Sequence, residues 1–175
     1  MNKKIKIGIP RAFLYYRHYI LWKNYFEKLG CHIILSPEST KELLLLGDSY
    51  SIDESCLSSK IYLGHVAYLV DKCDYILVPR ICDYGKREKV CVKFNALYDI
   101  VKNIFPETNL ITYNIEKTKH KTELLGFIKM GLKLKKNIFK IVYSYFYAKQ
   151  QEQKQEYINF ITQNRKLNNN KIKVL

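Results

Sequence analysis

Apolar and polar residues follow two alternating periods over the first two thirds of the chain. Short apolar runs predict four β-strands, "KIKIGI" (4–9), "CHIIL" (31–35), "DYILVPRI" (74–81) and "NLITYNI" (109–115). Between these runs, apolar residues recur at helical spacing over 14–29, 41–47, 57–69 and 94–104. Strands that alternate with helices favour right-handed crossovers and a parallel sheet. Residues 1–116 are therefore predicted to form a Rossmann-like α/β lobe with helices packed on a parallel sheet.

Local signals mark where two of these helices end or begin. Gly30 follows the first helical pattern and is a typical helix stop. Ser39 and Glu42 have the spacing of a capping box, which predicts that the second helix begins just after Ser39.

The pattern after residue 116 is mostly helical. It predicts a basic helical region over 117–167, with one or two amphipathic helices, followed by a linker and the start of a further strand over 168–175. The terminal "KIKVL" resembles the opening "KIKIGI". Two interpretations stay open from the pattern alone. The chain is one lobe of a longer, two-lobed protein, or it ends in a disordered or edge-strand tail.

Charge is concentrated in the helical region. Of the formal net charge of +14, residues 1–116 contribute 16 basic against 13 acidic side chains, and residues 117–175 contribute 14 against 3. A segment with this excess of positive charge is typical of nucleic-acid-binding proteins. Most of the basic residues are lysines in a chain rich in Ile, Asn and Tyr, a bias that AT-rich codons produce. Because no zinc-finger, leucine-zipper or RNA-binding pattern accompanies the charge, we expect no nucleic-acid partner.

Composition narrows the class of protein. Hydrophobic residues make up 47% of the chain, as expected for a globular protein. No signal-peptide pattern and no membrane-spanning stretch is visible, so we expect a cytoplasmic protein without a membrane partner. Five cysteines in that setting argue against a disulfide framework and favour free, catalytic or metal-binding thiols.

The five cysteines divide by position. Cys31 and Cys73 open predicted strands and are expected in or near the core. Cys56, Cys82 and Cys91 fall in predicted loops at the opposite edge, where parallel sheets place functional groups. No pair has C-x-x-C spacing, which gives no support to a zinc ribbon or a thioredoxin-type site.

Cys56 and Cys91 each precede a predicted helix, whose first amides stabilise a thiolate or a cluster sulfur. Spacing alone leaves a shared metal site and unconnected thiols both open. Arg11 and Arg80 allow an anion site or plain ion pairs, and His65 is expected to be a buried packing histidine. No P-loop, G-x-G-x-x-G, catalytic triad or carboxylate pair can be identified.

Four segments resemble, in order, the 2-hydroxyacyl-CoA dehydratase superfamily. They are "IGIPRAFLYYRHYILWKNYFEKLGCHIILSPEST", "SIDESCLSSKIYLGHVAYL", "DYILVPRI" and "VCVKFNALYDIVKN". The combination of "GIPRA", a D-E-x-C loop, "VPR" and "C-x-K-F" is most similar to the acyl-CoA dehydratase activase-related branch. The resemblance covers roughly residues 5–116.

The resemblance implies Rossmann-like lobes that hold an iron–sulfur cluster, usually 4Fe–4S, and a role in anaerobic metabolism. It implies one-electron chemistry driven by an ATP-dependent activator, a dehydratase-type partner subunit and a CoA thioester substrate. Carried over by motif, Cys56 and Cys91 are the cluster ligands, with Cys82 as a third candidate. It also implies a second lobe after residue 175, which favours a truncated chain. The alternative function is a degenerate, non-catalytic Rossmann-like fragment that acts as a binding module or has no activity.

Overall fold

The architecture is an α/β layer extended by two C-terminal helices, in a computed structural model that describes residues 4–85 and 90–169. Side chains are described through residue 164. The strands are β1 (Lys6–Ile9), β2 (His32–Leu35), β3 (Tyr75–Leu77), β4 (Arg80–Asp83), β5 (Leu110–Ile111) and β6 (Asn114–Glu116). The helices are α1 (Tyr15–Lys28), α2 (Lys41–Ser49), α3 (Leu57–Leu69), α4 (Val92–Ile104), α5 (Glu123–Lys133) and α6 (Ile138–Asn169).

The main sheet has four parallel strands in the order β2-β1-β3-β5. This confirms the predicted α/β fold class, because all four predicted apolar runs pair in the same direction. The central strand β1 contacts both β2 and β3, with Gly8 opposite Ile34 on one side and Ile76 on the other. The chain order reverses here, and in open parallel sheets ligands bind beyond the carboxyl ends of strands at such a point.

Two of the predicted strands are interrupted. "DYILVPRI" forms β3 and then β4, and "NLITYNI" forms β5 and then β6. Strands β4 and β6 pair with each other in a separate parallel two-stranded sheet. Pro79 lies at the first interruption, where a residue without an N–H cannot continue the hydrogen-bond ladder.

The main sheet is covered on both faces. One apolar cluster joins strands and α1 to α5 and α6, and it includes Ile7, Trp22, Phe26, Phe127 and Ile141. The other cluster joins the sheet to α3 and α4, and it includes Tyr62, Val66, Ile76, Leu97 and Val101. The basic helical region therefore shares a core with residues 1–116.

Helix α6 is anchored to α1 by a polar contact in addition to apolar packing. His18 Nδ1 of α1 lies 3.3 Å from Glu152 Oε1 of α6, and within α6 Lys149 Nζ lies 2.7 Å from Glu152 Oε2. The helix continues to Asn169, two residues past the predicted end of the helical region. The predicted terminal strand at 171–175 lies outside the described residues.

Candidate functional site

Cys56 is the residue immediately before α3, as predicted from the sequence. Its thiol is exposed and lies 3.1 Å from Ser59 Oγ, in the first turn of the helix. The hydrogen bonds of the Ser59 hydroxyl and amide, with a smaller contribution from Lys93 of α4, lower the pKa of Cys56. A lowered pKa increases the thiolate fraction, the form that attacks electrophiles and binds metals.

Cys91 holds the equivalent position at the start of α4, and its thiol is also exposed. The Phe94 amide donates to its carbonyl at 3.0 Å, which closes the first turn of the helix. Each cysteine is followed by an exposed apolar residue, Leu57 after Cys56 and Val92 after Cys91.

Phe13 packs against both of these helices. Its ring centroid lies 5.2 Å from that of Tyr62 in α3 and 5.0 Å from that of Phe94 in α4. Phe13 follows β1 with a φ of 52°, a left-handed conformation that costs an L-residue about 1 kcal/mol. The turn after the central strand thus inserts an aromatic side chain between the two cysteine-bearing helices.

The loop position predicted for Cys82 is wrong. Cys82 lies within β4, because the chain resumes a strand at Arg80 and pairs with β6. The thiol is half-buried, lies 3.0 Å from Asn95 Oδ1 of α4, and has a pKa raised first by burial and then by Glu116. The Val90 amide donates to the Cys82 carbonyl, so Cys82 does lie beside the segment that leads to Cys91.

Cys31 and Cys73 lie in or near the core, as predicted. Cys31 is buried and Cys73 is half-buried, and both directly or nearly precede strands. Burial raises the pKa of both thiols, in the case of Cys73 to about 11. Protonated, partly covered thiols of this kind are poor nucleophiles and poor metal ligands.

Two of the remaining sequence predictions are resolved by the contacts. His65 has no exposed surface and is hydrogen-bonded to two serines, which confirms a buried, satisfied histidine. Arg11 pairs with Glu38 at 3.1 Å, and Arg80 pairs with Asp99, so both arginines make ion pairs.

The predicted capping box is partly wrong. Thr40, one residue after Ser39, caps α2 and accepts the Leu43 amide, while the Ser39 hydroxyl contacts His65. Sequence reasoning also missed Phe13, Ser36 and Lys93 as parts of this edge. Their partners lie far away in the sequence, and only the weak rule that groups collect at the carboxyl ends of strands could have suggested them.

The donor set fits metal chemistry only in part. Thiols at amide-rich helix starts are suitable ligands for an iron–sulfur cluster. Among the described residues, however, no group of three or more His, Cys, Asp or Glu side chains converges to hold a metal ion. Cys56 and Cys91 alone are fewer than the three or four protein ligands that such clusters normally take.

The fold and site define a class of protein: a parallel α/β domain with two exposed thiols at the carboxyl edge of its sheet. A family model, the CoA enzyme activase uncharacterised domain, matches residues 6–173. The chain belongs to this family, in the activase-related branch of the 2-hydroxyacyl-CoA dehydratase superfamily. The match extends beyond residue 116, through the basic helical region that the quoted motifs did not cover.

Comparison with curated proteins and with solved structures gave no match. Within the described part of the chain, none of the helices is long and apolar enough to cross a bilayer.

Proposed function

We propose that this domain supplies Cys56 and Cys91 as ligands of an iron–sulfur cluster of the 4Fe–4S type. In this role it takes part in ATP-driven one-electron transfer between an activator and a dehydratase-type subunit that acts on a CoA thioester. The observation that supports the proposal is the arrangement of two exposed thiols at the starts of two helices that both pack against the ring of Phe13. Membership of the activase-related family supports the electron-transfer role.

The residues around the thiols suit them to this role. Amides in the first turns of α3 and α4 stabilise negative charge on sulfur. Lys93 contributes a positive charge that lowers the pKa of Cys56. A cluster, when bound, would supply the capacity to store and pass on a single electron at low potential.

A second chain segment or subunit completes the site in this proposal. Leu57 is 60% exposed and Val92 is 79% exposed, and both stand next to the candidate ligands. Large apolar side chains in such positions favour burial against a partner, which would also exclude water from the thiols. The partner would provide the remaining ligands, because Cys82 is half-buried with a raised pKa.

Anaerobic reconstitution with ferrous iron and sulfide tests the ligand assignment. We expect the wild-type chain to retain iron and acid-labile sulfide, and Cys56→Ser and Cys91→Ser to lose most of it. Cys31→Ser is the matched control, because it removes a thiol at the opposite edge of the same sheet and should retain the wild-type iron content. Cys82→Ser tests the third candidate. Equal iron content in Cys56→Ser and Cys31→Ser would contradict the proposal.

A binding module without a cluster is the second candidate function. It is favoured by the lack of a three-ligand group among the residues that the structure describes. The same reconstitution separates the two, because a binding module retains no stoichiometric iron in any variant.

A further inference from the structure

Helix α6 carries a row of aromatic residues on the side roughly opposite its buried face. Ile141, Tyr145 and Ala148 are buried in the core, at steps of four and three residues. A second set of residues recurs on the other side of the helix, also at alternating steps of four and three. This outer stripe consists of Phe139, Tyr143, Phe146, Gln150, Gln153, Tyr157, Phe160 and Asn164. Such alternation is the heptad spacing of a helix that packs lengthwise against another helix.

The five aromatic side chains of the outer stripe are exposed. Their exposed fractions lie between 57% for Phe146 and 82% for Phe139. Lys28 of α1 lies 5.3 Å from the ring centroid of Tyr143, and that tyrosine is still 58% exposed. At about 200 Å² for each aromatic side chain, the five rings expose roughly 650 Å², close to the ~800 Å² that each partner gives to a standard interface. An apolar surface of this size marks an interaction site.

The part of α6 beyond Glu152 has little packing within the described chain. None of residues 153–164 is buried, although Tyr157, Ile158 and Phe160 are large and apolar. Most of the stability of a helix in a protein comes from tertiary packing, and a segment of this length is marginal in water without it. A partner on the outer stripe would supply that packing.

The outer stripe is symmetric about its centre. Its two glutamines are central, and two aromatic residues lie on each side of them at the same steps of four and three. A two-fold axis through the centre therefore places aromatic residues of one copy opposite aromatic residues of a second copy. An interface of this kind uses the same patch on both subunits. The facing pairs are Tyr143 with Phe160, Phe146 with Tyr157, and Gln150 with Gln153.

Charges beside the outer stripe favour an antiparallel pair over a parallel one. In heptad geometry, the antiparallel pair places Lys149 beside Glu156 of the second copy and Lys154 beside the ring of Tyr147. Lys149 also pairs with Glu152 of its own chain at 2.7 Å. A parallel pair in register would place Lys149 beside Lys154 of the second copy, twice by symmetry. Like charges in that position disfavour the parallel arrangement.

We propose that the outer stripe is the interface of a homodimer in which two copies of α6 pack antiparallel. The exposed segment 153–164 of each copy lies against the anchored half of the other copy's helix. The aromatic rings form apolar layers, and Gln150 and Gln153 pair at the centre, where polar groups fix the register. The interface includes neither Cys56 nor Cys91, so it is independent of the cluster assignment.

Light scattering of the full-length, iron-free chain on a size-exclusion column tests the dimer. We expect a mass of twice 20.8 kDa. Phe146→Glu and Tyr157→Glu should each raise the dissociation constant at least about 30-fold, because each replaces an aromatic anchor near the centre of the interface. Ile158→Glu is the matched control, since it adds the same charge to an exposed apolar position one residue outside the stripe. It should leave the dissociation constant within about threefold. Circular dichroism checks that each variant folds.

Disulfide trapping tests the orientation of the two helices. Gln150→Cys and Gln153→Cys are mixed and oxidised, and peptide mass spectrometry locates the new disulfide. The antiparallel pair joins position 150 to position 153, whereas a parallel pair joins each position to itself, because a disulfide needs Cα atoms within about 7 Å. A parallel disulfide, or equal effects of Ile158→Glu and Phe146→Glu, would overturn the proposal. A monomeric wild type at about 100 μM would do the same and assign the stripe to a different partner, because standard interfaces at their weakest are occupied at that concentration.

Discussion

One cysteine precedes helix α3 and another follows it, and the two thiols differ in exposure and in the direction of their pKa shifts. Cys56, at the amino end, is exposed and has a lowered pKa. Cys73, beyond the carboxyl end, is half-buried, donates to the Leu69 carbonyl at 3.3 Å, and has a pKa raised to about 11. The first thiol is hydrogen-bonded by the Ser59 hydroxyl and amide, whereas the second donates to a helix carbonyl. The hydrogen bonds of Ser59 therefore favour the thiolate of Cys56, whereas burial favours the protonated thiol of Cys73.

The close packing of α2 on α3 gives the largest expected effect. A Cβ added at Gly64 would lie 1.9 Å from the Leu43 carbonyl oxygen, a backbone atom that cannot move without displacing α2. We expect Gly64→Ala to lower the free energy of unfolding by about 3 kcal/mol, at the upper end of the usual cost of overpacking. Urea unfolding measures this change.

The same variant tests whether the two ends of α3 depend equally on that packing. If both ends depend on it, Gly64→Ala should increase the alkylation rate of Cys73 and also change the alkylation rate of Cys56. Ser58→Ala, an exposed change on the same helix, is the control and should leave the unfolding free energy within about 0.5 kcal/mol. A cost for Gly64→Ala below 1 kcal/mol would show that the two helices separate freely.

Alkylation by iodoacetamide measures the contrast between the two thiols directly. At pH 8 we expect Cys56 to react at least about tenfold faster than Cys73. The thiolate is the reactive form, and its fraction falls about tenfold for each unit by which the pKa rises above the pH. The rate at Cys56 should level off below the usual thiol pKa as pH rises, whereas the rate at Cys73 should still increase towards pH 11. Peptide mass spectrometry after quenching gives both rates in one sample, and equal rates would refute the contrast.

Removal of the Ser59 hydroxyl should give the smallest effect. Ser59 Oγ lies 3.1 Å from Cys56 Sγ, and its hydrogen bond is the first contributor to the lowered pKa. Ser59→Ala should therefore slow alkylation of Cys56 at neutral pH about threefold, since a hydrogen bond to the charged form stabilises it. Cys91 is the internal control in the same protein, and its rate should not change. An unchanged rate at Cys56 would assign the reactivity to the helix amides instead.

Periodicity predicted the four parallel strands and the helices around them, because both depend on local spacing of apolar residues. It did not predict that the chain would leave the main sheet at Pro79 and form β4 in a second sheet. Cys82 therefore lies in a strand and not in the loop predicted for it. The capping-box spacing assigned the cap of α2 to Ser39, whose hydroxyl instead contacts His65, 26 residues later in the chain. A single sequence carries no local pattern that predicts a contact between residues so far apart.

In the candidate site, too, the features set by local sequence were predicted and those set by long-range contacts were not. The sequence placed Cys56 and Cys91 before helices, and the structure confirms both positions. Phe13, which packs against both α3 and α4, has a left-handed backbone at a position where the sequence has neither glycine nor asparagine to signal it. Only the packed structure identifies its partners as Tyr62 and Phe94.

The ring of Phe13 has a mechanical consequence for this edge. It is in contact with both Tyr62 of α3 and Phe94 of α4, so the turn after β1 packs against both cysteine-bearing helices. The same turn supplies the amide that fixes Ser36 and, through it, His65. Residues 10–13 therefore contact both cysteine-bearing helices and, through Ser36, the imidazole of His65, so we expect a partner bound at this turn to affect both groups.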